Sequence, residues 1–133
     1  MRRLGPSLLI VALAAALSCD KSVAPSPPPG SGPGRVTLFL ETPHVDDGAI
    51  VIEITGSSVG TPVLADTSMW MFTDHVDSRV TRVVIVGNLT TGALLGFDVP
   101  DSVQPYMAAI LQVSDRANLA RATLQGYKLD LSR

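Results

Sequence analysis

An all-β fold, a single small antiparallel β-sandwich of about seven strands, is what residues 35–133 predict. Three observations carry that expectation. Short runs of residues alternate with period two along the segment, the pattern of half-buried strands. Gly, Pro, Asn and Asp punctuate them at short intervals. The chain is 46% hydrophobic, too apolar to be disordered throughout, although only 5% of it is aromatic. A domain of this size buries roughly 60–65% of its extended-chain surface, enough to fold without a metal or a disulfide.

The strands follow in order. Val36, Leu38 and Leu40 alternate with Thr37, Phe39 and Glu41, and a loop over Thr42 to Gly48 follows, with Pro43 and an Asp47-Gly48 turn signal. Ile50, Ile52 and Ile54 alternate with Ala49, Val51 and Glu53. Ser68 to Thr73 (SMWMFT) and Val80 to Val86 (VTRVVIV) read as the next two strands. The second is apolar on both faces toward its end, as a central strand is. Asn88 to Gly92 is a turn, after which Ala93, Leu95, Phe97 and Val99 alternate toward Pro100. Pro105 to Gln125 carries mixed signals. Its Ala, Leu, Gln and Arg content and the position of Pro105 suit a helix, yet Tyr106 to Val113 also alternates with period two. The expectation is a strand over 106–113, then an irregular loop or short helical turn from Ser114 to Arg121. Tyr127, Leu129 and Leu131 close the domain against Lys128 and Asp130.

Composition narrows the function. A sequence pI near 5.5 and scattered Lys and Arg give no electrostatic reason to bind nucleic acid. One cysteine makes no intramolecular disulfide and cannot supply a site that needs several thiolates.

Residues 1–18 read as a targeting segment rather than as part of the fold. Arg2 and Arg3 precede the apolar run Leu8 to Leu17, and small residues surround its end, the layout of a secretory signal peptide. Ten apolar residues rise about 15 Å as a helix, well short of a ~30 Å hydrocarbon core. Ala16-Leu17-Ser18-Cys19 resembles the lipobox of bacterial lipoproteins. Ala16 and Leu17 stand in swapped order relative to the commonest form. The resemblance implies cleavage behind Ser18, a diacylglyceryl thioether on Cys19 and a membrane anchor on the bacterial cell envelope. It implies, too, that loss of Arg2 and Arg3 leaves the acyl chains to do the anchoring without help from a basic patch. Asp20 favours inner-membrane retention under the enteric sorting rule, which differs among bacteria and leaves the choice of membrane open. Residues 19–34, the lipidated Cys19 followed by a stretch dominated by Ser, Pro and Gly (SVAPSPPPGSGPG over 22–34), read as a tether.

The segments DDGAIVIEITG (46–56) and TRVVIVGNLTTGALLGFDVPD (81–101) resemble the immunoglobulin-like, cohesin-like and carbohydrate-binding sandwiches of bacterial envelope proteins, with Phe97 as an inward aromatic. That resemblance implies a non-catalytic binding module whose partner is an envelope protein or a glycan, or else an accessory subunit of an envelope complex.

Four features bear on chemistry. Gly56-Ser57-Ser58-Val59-Gly60 matches the G-x-S-x-G pattern of a nucleophile elbow, with Ser58 as nucleophile and His75 and Asp66 or Asp74 downstream. The usual scaffold for that machinery is more than twice this length, so a Gly-Ser loop closing a strand is the expectation. His-Val-Asp occurs at 44–46 and again at 75–77. With Asp47 and Asp74 it offers ligand types for zinc or manganese if the two loops lie side by side. Calcium at Asp46-Asp47 or Asp74/Asp77 lacks the D-x-D-x-D-G loop. The plainer expectation is that these Asp and His residues start turns and stay solvated, and no cofactor or metal is expected. Trp70 is assigned to the core because a chain with so few aromatics needs them there. A stacking platform for a sugar ring, or a partner contact, is the alternative. Asn88-Leu89-Thr90 fits a glycosylation sequon but reads as a turn in a bacterial protein.

Overall fold

The computed structural model describes residues 32–100 and 106–133. The signal segment, Ser18, Cys19, most of the tether and Pro105 lie outside the described residues.

Eight strands occur among the described residues: β1 (Gly34–Glu41), β2 (Asp47–Thr55), β3 (Val63–Leu64), β4 (Trp70–His75), β5 (Val80–Val86), β6 (Gly92–Val99), β7 (Met107–Asp115) and β8 (Lys128–Ser132). They form two four-stranded sheets, ordered β3-β6-β1-β8 and β4-β5-β2-β7. Every ladder is antiparallel. The expected all-β sandwich is what the chain forms.

The alternation explains the layers. Val36, Leu38 and Leu40 of β1 and Ile50, Ile52 and Ile54 of β2 all point between the sheets and are almost fully buried. Val83 and Ile85 of β5, Leu95 and Phe97 of β6, and Val113 of β7 complete that interior. Phe97 is the inward aromatic expected of β6. Its ring lies 6.1 Å from that of Tyr106 at 56°, a tilted aromatic pair.

Three local differences from the sequence expectation have physical causes. β3 carries no periodic signal, because two residues following Pro62 cannot show one; its pairing with Leu95 and Gly96 creates it. β4 begins at Trp70 rather than Ser68, because the Asp66 carboxylate accepts a hydrogen bond from the Ser68 N–H (2.8 Å) and holds a turn there. β7 runs to Asp115, and a register shift opposite Val51/Ile52 breaks its alternation, so that Val113 rather than Gln112 follows Ile110 into the interior. Beyond it, the residues after Asp115 form turns and a single bridge between Ser114 and Ala120, the irregular alternative to a helix.

Phe97→Ala removes the largest fully buried side chain among the described residues and its contact with Tyr106. We expect a loss of about 3–5 kcal/mol in denaturant unfolding, with the slope against denaturant unchanged.

Candidate functional site

One end of the sandwich is organised by a buried carboxylate. Asp47, the first residue of β2, is 0% exposed. Its Oδ2 accepts hydrogen bonds from Thr42 Oγ1 (2.5 Å) and from the Tyr127 hydroxyl (2.8 Å). Its Oδ1 accepts from Arg121 Nε (2.9 Å), and Arg121 Nη2 lies 2.8 Å from the same oxygen and 2.5 Å from Asp46 Oδ1. A carboxylate out of water is tolerated because each oxygen is met by donors. Burial pushes the Asp47 carboxyl up, but the bonds from Thr42, Tyr127 and Arg121 outweigh that and hold it below the usual carboxylate range. Tyr127 is shifted upward by burial and by its bond to Asp47. Arg121 is shifted upward by its bonds to Asp47 and Asp46. The expectation that Asp47 is a solvated turn residue is therefore corrected: it is a structural anchor, while His44 and Asp46 beside it are exposed.

The proposed metal-ligand loops do not meet. His44–Asp46 precedes β2 at its Asp47 end, whereas His75–Asp77 lies at the Thr55 end, since Thr55 pairs with Val80 and His75 with Thr81. The length of β2, on the order of 25 Å, separates them. In the second of these turns the carboxylate holds backbone: Asp77 Oδ1 accepts from the N–H groups of Arg79 (2.7 Å) and Val80 (2.9 Å). His75 Nδ1 is 3.1 Å from the Thr81 hydroxyl. Among the described residues, no group of three or more His, Cys, Asp or Glu is placed to hold a metal ion.

The G-x-S-x-G segment is a loop and not a strand-to-helix turn. Its glycines answer to packing. A Cβ on Gly56 would sit 2.2 Å from Cδ1 of the Tyr106 ring, and one on Gly60 would sit 2.9 Å from the Asp98 carbonyl oxygen. The Tyr106 hydroxyl donates to the Ser58 carbonyl (2.7 Å), and Gly60 N–H donates to the Asp98 carbonyl (2.9 Å). The segment thus seals the interior at that end of the sandwich.

Trp70 is not in the core. It is 72% exposed, and Phe72, two residues on, is 63% exposed. The alternation of β4 sends Met69 and Met71 inward and the two aromatics outward, so the methionines fill the interior that was assigned to Trp70. On the ladder, Trp70 pairs with Val86 and Phe72 with Val84, and these pair in turn with Ala49 and Val51 of β2. The outward face of the β4-β5-β2-β7 sheet is therefore apolar across three strands, with two exposed aromatic rings at its β4 margin. Asp74, Arg82 and Glu53 follow toward the Thr55 end, where Arg82 Nη2 binds Glu53 Oε2 at 3.0 Å. A sheet face that served only to meet water would carry polar side chains there. Phe72, Val84 and Val86 were not identified from the sequence. The signals were the two-faced apolar character of VTRVVIV and the alternation of SMWMFT, which leave one apolar set without a place between the sheets.

Comparison with protein-family models, with curated proteins and with solved structures returns no match.

Asp47→Ala is expected to cost on the order of 2–4 kcal/mol, because several donors lose a buried charged acceptor, and Tyr127→Phe about 1–2 kcal/mol. The Asp47 contribution is fully present above pH ~4 and is lost as pH falls through its depressed native value. The Tyr127 contribution has the opposite sense, present below pH ~10 and lost as pH climbs through its raised native value. Denaturant unfolding as a function of pH checks both, and Asp47→Asn is expected to flatten the acid limb.

Proposed function

We propose that this chain is a bacterial envelope lipoprotein, anchored through Cys19 and carrying a non-catalytic interaction module whose binding surface is the outward β4-β5-β2 face around Trp70 and Phe72. The observation that carries the reading is that face itself: two large aromatic rings left in solvent beside Val84, Val86 and Val51. Large, rigid aromatic side chains on an apolar ground are where binding energy concentrates at protein interfaces. A protein partner fits better than a glycan, because sugar hydroxyls need hydrogen-bonding groups close to the stacking ring and the ladder neighbours of Trp70 and Phe72 are aliphatic. The immunoglobulin-like and cohesin-like resemblance of 46–56 and 81–101 supports the same class of role. The anchor rests on Arg2, Arg3, the apolar run and the Ala16–Cys19 lipobox. Two or three acyl chains, at roughly 0.8 kcal/mol per buried methylene, hold such a domain firmly at a membrane.

The test uses the C-terminally tagged full chain in a bacterial host, with its Cys19→Ser and Trp70→Ala variants. The wild-type N-terminal peptide is expected to begin at acylated Cys19 by mass spectrometry, and Cys19→Ser is expected to leave the membrane fraction. Trp70→Ala is expected to change unfolding free energy by less than ~0.5 kcal/mol, since the ring is exposed. It is expected to lose at least tenfold of the protein that co-purifies with wild type. Retention of that protein by Trp70→Ala would contradict the assigned surface. A response of wild-type fluorescence to polysaccharide, absent with protein fractions, would move the ligand class to glycans.

A further inference from the structure

We propose that the surface around Trp70 continues into a polar cavity at the Asp47 end of the sandwich, where Arg116 takes a carboxylate of the partner polypeptide. The step rests on the reading of the Trp70–Phe72 face as a binding surface and names the chemistry of what that surface binds.

The hollow follows from the sequence at the ends of three strands. β5 runs out into Gly87, and β2 starts with Asp47-Gly48. The Gly87 N–H donates to the Gly48 carbonyl (2.9 Å), so the rung that ends the sheet there carries no side chain. A cavity of about 460 Å³ lies beside it, walled by Asn88 after β5, by Arg116 and Asn118 after β7, and by Val86. Val86 is also the ladder partner of Trp70, so the cavity and the aromatic margin share a wall.

The charge selects the occupant. Arg35, Arg82, Arg121 and Lys128 each stand within 3.6 Å of a carboxylate. Arg116 has no such partner among the described residues. It is nonetheless held in place, and by neutral acceptors: its Nη2 donates to the Val45 carbonyl (3.0 Å) and to Asn88 Oδ1. The adjacent Asp115 gives its Oδ1 to the N–H groups of Ala117 and Leu119 (2.9 Å each). A positioned guanidinium with uncommitted N–H groups and no counter-charge, beside the amides of Asn88 and Asn118, complements a carboxylate, which only accepts.

The spacing selects a polypeptide as its carrier. Asn88 stands two residues past Val86, and Trp70 stands one strand across from Val86. The guanidinium bound to Asn88 is therefore roughly 8 Å from Trp70 along the surface. Two residues of extended peptide span that distance, and residues two apart present their side chains to the same face. An apolar side chain then meets Trp70 and Val86 while the carboxylate two positions along meets Arg116.

Trp70 is the one tryptophan in the chain, so its emission reports occupation of the site. The experiment titrates the detergent-solubilised full chain with three capped peptides, Ac-Leu-Ala-Glu-NH2, Ac-Leu-Ala-Gly-OH and Ac-Leu-Ala-Gln-NH2, and with cellohexaose. The proteins are wild type, Arg116→Gln and Asn118→Gly. Arg116 is exposed, and glycine suits the left-handed backbone of Asn118 (φ 62°), so both variants are expected to keep the wild-type circular dichroism. On wild type at low salt, a carboxylate peptide is expected to blue-shift Trp70 emission at about tenfold lower concentration than the glutamine peptide, a ratio that added salt reduces. Arg116→Gln is expected to abolish the ratio and Asn118→Gly to reduce it. Should Arg116→Gln fail to fold, Asn118→Gly still decides. A preference confined to the glutamate peptide supports the proposal with an acidic side chain as the source, and one confined to Ac-Leu-Ala-Gly-OH supports it with a chain terminus. Equal responses to the three peptides, no response to any, a preference unchanged in Arg116→Gln, or a response to cellohexaose alone overturns it. If it fails in this way while Trp70→Ala still loses the co-purifying protein, the interaction-module reading stands and only the carboxylate is excluded. If Trp70→Ala retains that protein, the surface beneath both readings is wrongly assigned.

Discussion

The Asp47 carboxylate is the interaction on which this end of the sandwich depends. The chain crosses from one sheet to the other between β1 and β2 and again between β7 and β8, and both crossings bring a donor to Asp47. Thr42 comes from the first crossing and Arg121 and Tyr127 from the second. Hydrophobic burial is non-directional and would tolerate either crossing at several angles. A fully buried carboxylate satisfied on both oxygens tolerates far fewer, because each misaligned donor leaves a desolvated charge short of a partner. β8 is thereby set against β1, and the return that passes Arg121 is laid over the end of β7.

That arrangement determines which surfaces are left over. The return loop covers the far margin of the β4-β5-β2-β7 sheet near Val113–Asp115, while nothing among the described residues covers the margin at β4. The inner face of the same sheet is already filled by isoleucines, valines and methionines, so there is no interior space for Trp70 and Phe72. The exposed aromatic margin is thus a consequence of how the core is filled and how the ends are tied.

Most of the architecture was legible in the sequence because the strands in the middle of each sheet alternate cleanly. Val36–Leu40 and Ile50–Ile54 give both the element and its buried face, and Val80–Val86 gives a central strand to the residue. What was not legible depends on neighbours that are distant in sequence. β3 exists through β6. The burial of Asp47 depends on Arg121 and Tyr127, more than seventy residues away. Trp70 was misplaced because composition counts aromatic residues without asking which face of the strand they fall on, and its flanking methionines, being apolar and adaptable, were the better core residues. The G-x-S-x-G pattern is legible in the sequence, but what its two glycines pack against, Tyr106 and Asp98, is set by contacts distant along the chain.

The central claim is that the outward face around Trp70 is covered when the protein is at work. Hydroxyl-radical footprinting read by mass spectrometry on the Trp70 peptide, in intact cells and on the purified dilute chain, tests it most directly, with the exposed Leu119 of the return loop as reference. The account predicts that Trp70 is oxidised several-fold more slowly in cells while Leu119 reacts alike in both. Equal oxidation of Trp70 in the two settings would contradict it.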